Sequence, residues 1–195
     1  MNKSAIDKSC QNLWLIAHSA YESLRMWEAI AVHAGELNKK GRHIHFWGSC
    51  QRLAMGHAIV DICKLYRDSK DPKEETLYRL KKIASLDVEL PDAKKLNSPL
   101  ERIFRFRDKI LVHKEIVSEE TNEENKALPS IAEFYELVEL AKATCCSTGY
   151  EPPSVMVSLR NATKNVMFKV LNAPPISDIK PKSEYSEFMR KELQD

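Results

Sequence analysis

Residues 105 to 115 read RFRDKILVHKE, and three of them carry side chains that could do chemistry: Arg107, Asp108 and His113. Wound as an ideal helix at about 100° per residue, Leu100, Ile103, Phe104, Ile110 and Leu111 fill an apolar arc roughly 120° wide. Arg107 and Lys114 project inside that arc. Phe106 and Val117 extend it on one side, and His113 lies just beyond Phe106. A permanent cation on an apolar face needs an anion, from a protein carboxylate or from a ligand, or must reach water along its aliphatic stem. Between Lys94 and Lys114 seven lysines and arginines face only Glu101 and Asp108, whereas Glu115 to Glu124 holds five acids and no base. That local basic surface fits a small polyanionic footprint. Ordinary solvated helix faces fit it equally well. Arg107 and His113 are six apart, about 120° and about 9 Å on an ideal helix, so one cleft takes both only if it is wide or the helix bends.

The elements that must position these residues are helical. No stretch alternates with period two over a strand's length, and the chain has only five glycines. Leu13, Ile16, Ala17, Ala20, Leu24, Trp27 and Ala31 mark a first helix with a stop expected near Gly35. A second runs from about Arg42 to Arg67 with Phe46, Leu53, Ile59, Ile62, Cys63 and Tyr66 on its stripe. Its Gly48 and Gly56 lower helix propensity and predict close approach of a neighbouring helix. Asp71-Pro72-Lys73-Glu74 reads as a capping box opening a third helix with Leu77, Leu80, Ile83 and Ala84. Ser98-Pro99-Leu100-Glu101 repeats the signature and opens the fourth, the helix of Arg107. The acidic SEETNEENK stretch reads as a solvated loop. Ser130 and Glu133 cap a fifth helix, and Pro152-Pro153-Ser154 open a sixth that stops before Pro174. The expected architecture is an all-α bundle of about six helices, with long antiparallel members, over residues 1–175. A tail follows over 176–195, with one short helix around Phe188.

With 195 residues, 43% of them hydrophobic, the chain can bury a sizeable core. A net charge of +2 does not mark a nucleic-acid binder by bulk charge. The five cysteines are odd in number, lack C-x-x-C spacing and include adjacent Cys145 and Cys146, which predicts reduced thiols in a reducing cytosol. No early apolar run is long enough for a leader or a membrane span, so a cytoplasmic protein is expected. His43 and His45 point to different faces of a helix, and with His57 they make no metal set for want of a carboxylate or cysteine at ligand spacing. Trp14, Trp27, Trp47 and Phe46 stand at helical spacings as core or interface.

The RDKILVH segment resembles the signature of the HEPN superfamily: an arginine, a polar residue, a short spacer and a histidine on one long helix. Here these are Arg107, Asp108 and His113. The wider chain, over roughly residues 10 to 172, most resembles the abortive-infection AbiU-type branch. A long helix with HFWGSCQRLAMGHAIVDICKLYRD comes first, then a short helix, then FRDKILVH, then two more helices. The resemblance implies a bundle that dimerises with its motif helices face to face. In active members the cleft between protomers is a metal-independent ribonuclease site; others are interaction or RNA-binding modules. It further implies RNA as substrate, no cofactor, and an antitoxin partner in a defence or toxin–antitoxin setting. RNA brings its own nucleophile, the 2′-hydroxyl. His113 would accept its proton or protonate the leaving oxygen, and Arg107 would stabilise charge on the phosphorane. Asp108 would orient Arg107 or the partner's histidine, with Lys109 and Lys114 adding phosphate contacts. Two positions depart from relatives: Glu115 stands where some carry a modifiable tyrosine, and Val112 stands where AbiU-type members carry alanine. The alternative is a noncatalytic helical interaction module.

Overall fold

A computed structural model describes residues 3–40, 44–71, 73–108, 128–153 and 165–166. Within them lie five helices and no strand: α1 Lys3–Lys40, α2 Ile44–Leu65, α3 Leu77–Ala84, α4 Pro99–Phe106 and α5 Ile131–Cys146. The all-α expectation is met. The expected sixth helix and the helix near Phe188 lie outside the described residues, apart from helical Asn165 and Val166.

The long pair α1 and α2 runs antiparallel. Ile30 and Leu37 near the end of α1 pack on Trp47 near the start of α2. Further along, Ser23 meets His57. The main core gathers Leu13, Ala17, Ala20 and Leu24 from α1 with Ala58, Ile59, Ile62 and Leu65 from α2. Leu77, Leu80, Leu100, Ile103, Phe134 and Val138 close it. Alanines on the facing stripes let the long helices approach, and each fully buried leucine or isoleucine contributes about 1.5–3 kcal/mol. Tyr66 ties α2 to α5: its buried hydroxyl donates to the Leu137 carbonyl at 2.6 Å.

Two caps stand where the sequence places them. Ser98 Oγ accepts from the Glu101 N–H at 3.1 Å, with Pro99 in the first turn of α4. Ser130 and Glu133 form the reciprocal capping box of α5. Other expectations are corrected. α1 does not stop near Gly35 but continues to Lys40, because Leu37 still has Trp47 to pack on. The third helix does not open at Asp71. Asp71 Oδ1 accepts from the Lys73 N–H in a local turn, Glu74 pairs with Arg67 instead of reaching back, and Thr76 caps α3 by accepting from the Arg79 N–H. At Gly48 the nearest atom to an added Cβ is the guanidinium of Arg52 on the same helix, 3.9 Å away, so no neighbouring helix comes close there. Phe46 and Leu53, at helical spacing on the stripe of α2 with Phe46 expected as core or interface, are 59% and 73% exposed, so neither is in the core. No helix among the described residues is long and apolar enough to cross a membrane.

Candidate functional site

Arg107 follows directly on α4. Leu100 and Ile103, fully buried, anchor that helix in the core, as the described half of the predicted arc requires. Past Phe106 the helix widens into a π-turn at Arg107 and Asp108, a local rewinding that often accompanies function. The Arg107 backbone N–H donates to both Ile103 O and Phe104 O. Its guanidinium is held on two sides. Nε and Nη2 donate to Asp108 Oδ1 at 2.7 and 2.5 Å, and Cζ lies 4.8 Å from the centre of the Phe104 ring. The side chain stays 25% exposed and that of Asp108 54%.

Below Arg107 lies Cys63 of α2. Burial pushes the Cys63 thiol up to about 12; the Arg107 guanidinium pulls the other way and the Asp108 carboxylate adds to the rise. Arg107 therefore bridges the α4 end to α2 with its charge answered by Asp108 and one edge toward water. Of the residues the sequence singles out, Arg107 and Asp108 are brought together here. Lys109, His113 and Lys114 lie outside the described residues, as do Val112 and Glu115.

A second polar cluster sits on α2. His57 Nδ1 lies 3.1 Å from Ser23 Oγ on α1 and 3.4 Å from Asp61 Oδ2 one turn on. Asp61 is buried at 3% exposure, and its Oδ1 accepts from Lys64 at 3.0 Å. Weighed by sequence as a metal set, the histidines do not single out the His57–Asp61 pair; its i,i+4 spacing is the signal that locates it. Both Ser23 and Asp61 address the same ring nitrogen, so the three residues form no proton relay through the imidazole. Among the described residues no set of three metal-ligating side chains converges. Of the four cations lining a cleft between α1, α2 and the turn before α3, Lys8, Lys64, Arg67 and Lys73, two are paired: Arg67 with Glu74 and Lys64 with Asp61.

Compared with protein-family models, curated proteins and solved structures, the chain matches none.

Proposed function

We propose that this chain is an HEPN-like, AbiU-type helical protein of a cytoplasmic defence or toxin–antitoxin setting that cuts RNA without a metal. The observation that carries the reading is the state of Arg107. The guanidinium sits at a π-turn, oriented by the adjacent Asp108 and still partly open to water, which is the role the resemblance gives Asp108. In the proposed reaction His113 takes the proton of the RNA 2′-hydroxyl, and that oxygen attacks the adjacent phosphorus. Arg107 bears the charge that builds on the phosphorane oxygens. The bond to the 5′-oxygen breaks, that oxygen is protonated, and a 2′,3′-cyclic phosphate and a 5′-hydroxyl remain. Lys109 and Lys114 contact flanking phosphates. The active species is a homodimer, since one protomer supplies half of the cleft, and an antitoxin would neutralise it.

A specific observation also favours the noncatalytic module. Asp108 already answers the Arg107 charge, and Phe104 already covers one face of the guanidinium, so a structural role needs no ligand. Incubation of total RNA with the protein in chelator, wild type beside Arg107→Ala, separates the two. The enzyme reading expects metal-free cleavage that the substitution removes while the fold survives. No cleavage by wild type, with unfolding of the variant, leaves the structural module. Sedimentation at micromolar concentration tests the dimer, and a monomer would remove it. Intact-mass measurement tests whether Glu115, which lacks a phenol, rules out nucleotide modification beside His113; an adduct in the 105–120 peptide would contradict that.

A further inference from the structure

The first half of α1, the end of α2 and the segment leading into α3 border a cleft of about 470 Å³, within the range of about 300–1,000 Å³ that takes a small ligand. Lys8, Lys64, Arg67 and Lys73 line it, against the two carboxylates Glu74 and Glu75. Both acids are engaged: Glu74 accepts from Arg67 at 3.2 Å and Glu75 from Asn12 at 2.7 Å. Lys8 and Lys73 are the excess. Both are exposed, and among the described residues no carboxylate pairs with either. The Arg67–Glu74 pair is itself open to solvent, at 59% and 38% exposure. A pair of that kind contributes only about 0–1 kcal/mol, so Arg67 is free to turn toward another anion.

The cleft adjoins the Arg107 position. Arg107 lies over Cys63; Lys64 is the next residue, and Arg67 follows about one turn, roughly 6 Å, further on. At about 100° per residue Arg67 stands roughly 40° and Lys64 roughly 100° around α2 from Cys63, in the direction opposite to the buried Ile59 and Ile62. The outer surface of the α2 end therefore leads from Arg107 through Arg67 and Lys64 to Lys8 and Lys73. Cations spaced along one surface suit a chain of phosphates better than a single anion, because each phosphate carries its own charge. None of the described residues lining the cleft is aromatic, so it offers bases nothing to stack on. Such a surface recognises the charge of a strand and not its sequence.

We propose that this cleft is a sequence-independent subsite for the phosphate backbone of single-stranded RNA, with Lys8 and Lys73 on phosphates beyond the one at Arg107. The choice of RNA among phosphate chains rests on the proposed cleavage reading. The test is binding of a labelled 2′-O-methyl RNA strand, which the proposed chemistry cannot cut, as a function of salt. Wild type is compared with Lys8→Glu, Lys73→Glu and Lys39→Glu; the last changes net charge equally, roughly 35 Å from Ile16 along α1. All three positions are exposed, so circular dichroism and melting should stay near wild type. Lys8→Glu and Lys73→Glu should each weaken binding severalfold, equally for purine and pyrimidine strands, and flatten the slope of log affinity against log salt by about 0.7. Lys39→Glu should keep the wild-type slope. No binding by wild type, or the same slope in all three variants, would overturn the subsite. If wild type nevertheless cuts total RNA in chelator, the subsite alone falls and the proposed function stands. Binding that depends on Lys8 and Lys73 without any cleavage would keep the subsite and remove the nuclease. Displacement of the strand by poly-glutamate at equal charge would overturn the RNA assignment in favour of an acidic protein segment.

Discussion

The end of α4 and the middle of α2 each place an arginine beside apolar side chains, and they treat it in opposite ways. Arg107 has its carboxylate next to it in sequence and an aromatic ring beneath it. Among the described residues Arg52 bonds a serine hydroxyl and no carboxylate, and it stands next to a leucine that is mostly exposed. A cation with its own counter-charge can be structural, or can be held ready for a substrate. A cation whose described neighbours hold no carboxylate is not explained by local chemistry in that way. The contrast extends to the acids: Asp108 is half exposed and pairs with its neighbour in sequence, whereas Asp61 is buried and faces His57 and Lys64 on its own helix.

The largest expected effect belongs to Arg107. In an RNA cleavage assay Arg107→Ala should lower the rate about 10²-fold or more, with stability within about 1 kcal/mol of wild type because an exposed local ion pair contributes little. Strong destabilisation instead would make Arg107 a structural strut and erase the contrast with its catalytic reading. Next come the two acids, compared by chemical denaturation. Asp61→Ala should cost about 1–3 kcal/mol, since it removes the hydrogen bond from Lys64 and the close approach to His57 at a buried position. Asp108→Ala should stay within about 0.5 kcal/mol. Equal costs would show that burial does not separate the two sites.

Ser130→Ala should cost about 1 kcal/mol by removing the acceptor for the Glu133 N–H, read as a lower melting midpoint. Thiol labelling probes the floor beneath Arg107. Exposed Cys146 should react with iodoacetamide first, and Cys63, whose burial holds the thiolate off, only on unfolding; fast native labelling of Cys63 would mean that the α2–α4 contact opens. The smallest effect is in pH. The Ser130 backbone N–H, aided by the Ser130 hydroxyl and by Arg102, holds Glu133 below its ordinary value of 4.5. A depressed carboxylate stabilises the fold above its unfolded value, and that contribution is lost as pH falls through the folded one. The stability gap between wild type and Glu133→Gln should therefore be largest near neutrality, well under about 1 kcal/mol in this third-exposed setting, and shrink below pH 4.5. A gap that widens in acid would reverse the assignment.

Local chemistry by itself determined much of this protein. Ser98 and Ser130 start their helices because a hydroxyl three residues ahead of an orphan N–H needs no tertiary help. The helical period of Leu13 to Leu24 and of Ile59 to Tyr66 required a core between them, and that core is where they pack. The apolar arc that carries Arg107 was equally legible through Leu100 and Ile103. Tertiary structure alone decided the rest. α1 runs past Gly35 because Trp47, ten residues beyond Leu37 and on the next helix, folds back onto it and rewards five more residues of helix. At Asp71 a local turn replaces the expected helix start: Asp71 accepts from the Lys73 N–H, Glu74 pairs with Arg67, and Thr76 takes the cap. Phe46 and Leu53 fall on the α2 stripe by period, but periodicity names an apolar face without saying what covers it. Ser23 and His57 are thirty-four residues apart, and only the antiparallel packing of α1 on α2 joins them. Spacing along a chain sets which side chains share a face; which face meets another, and which is left for a partner, depends on contacts the chain makes with itself at long range.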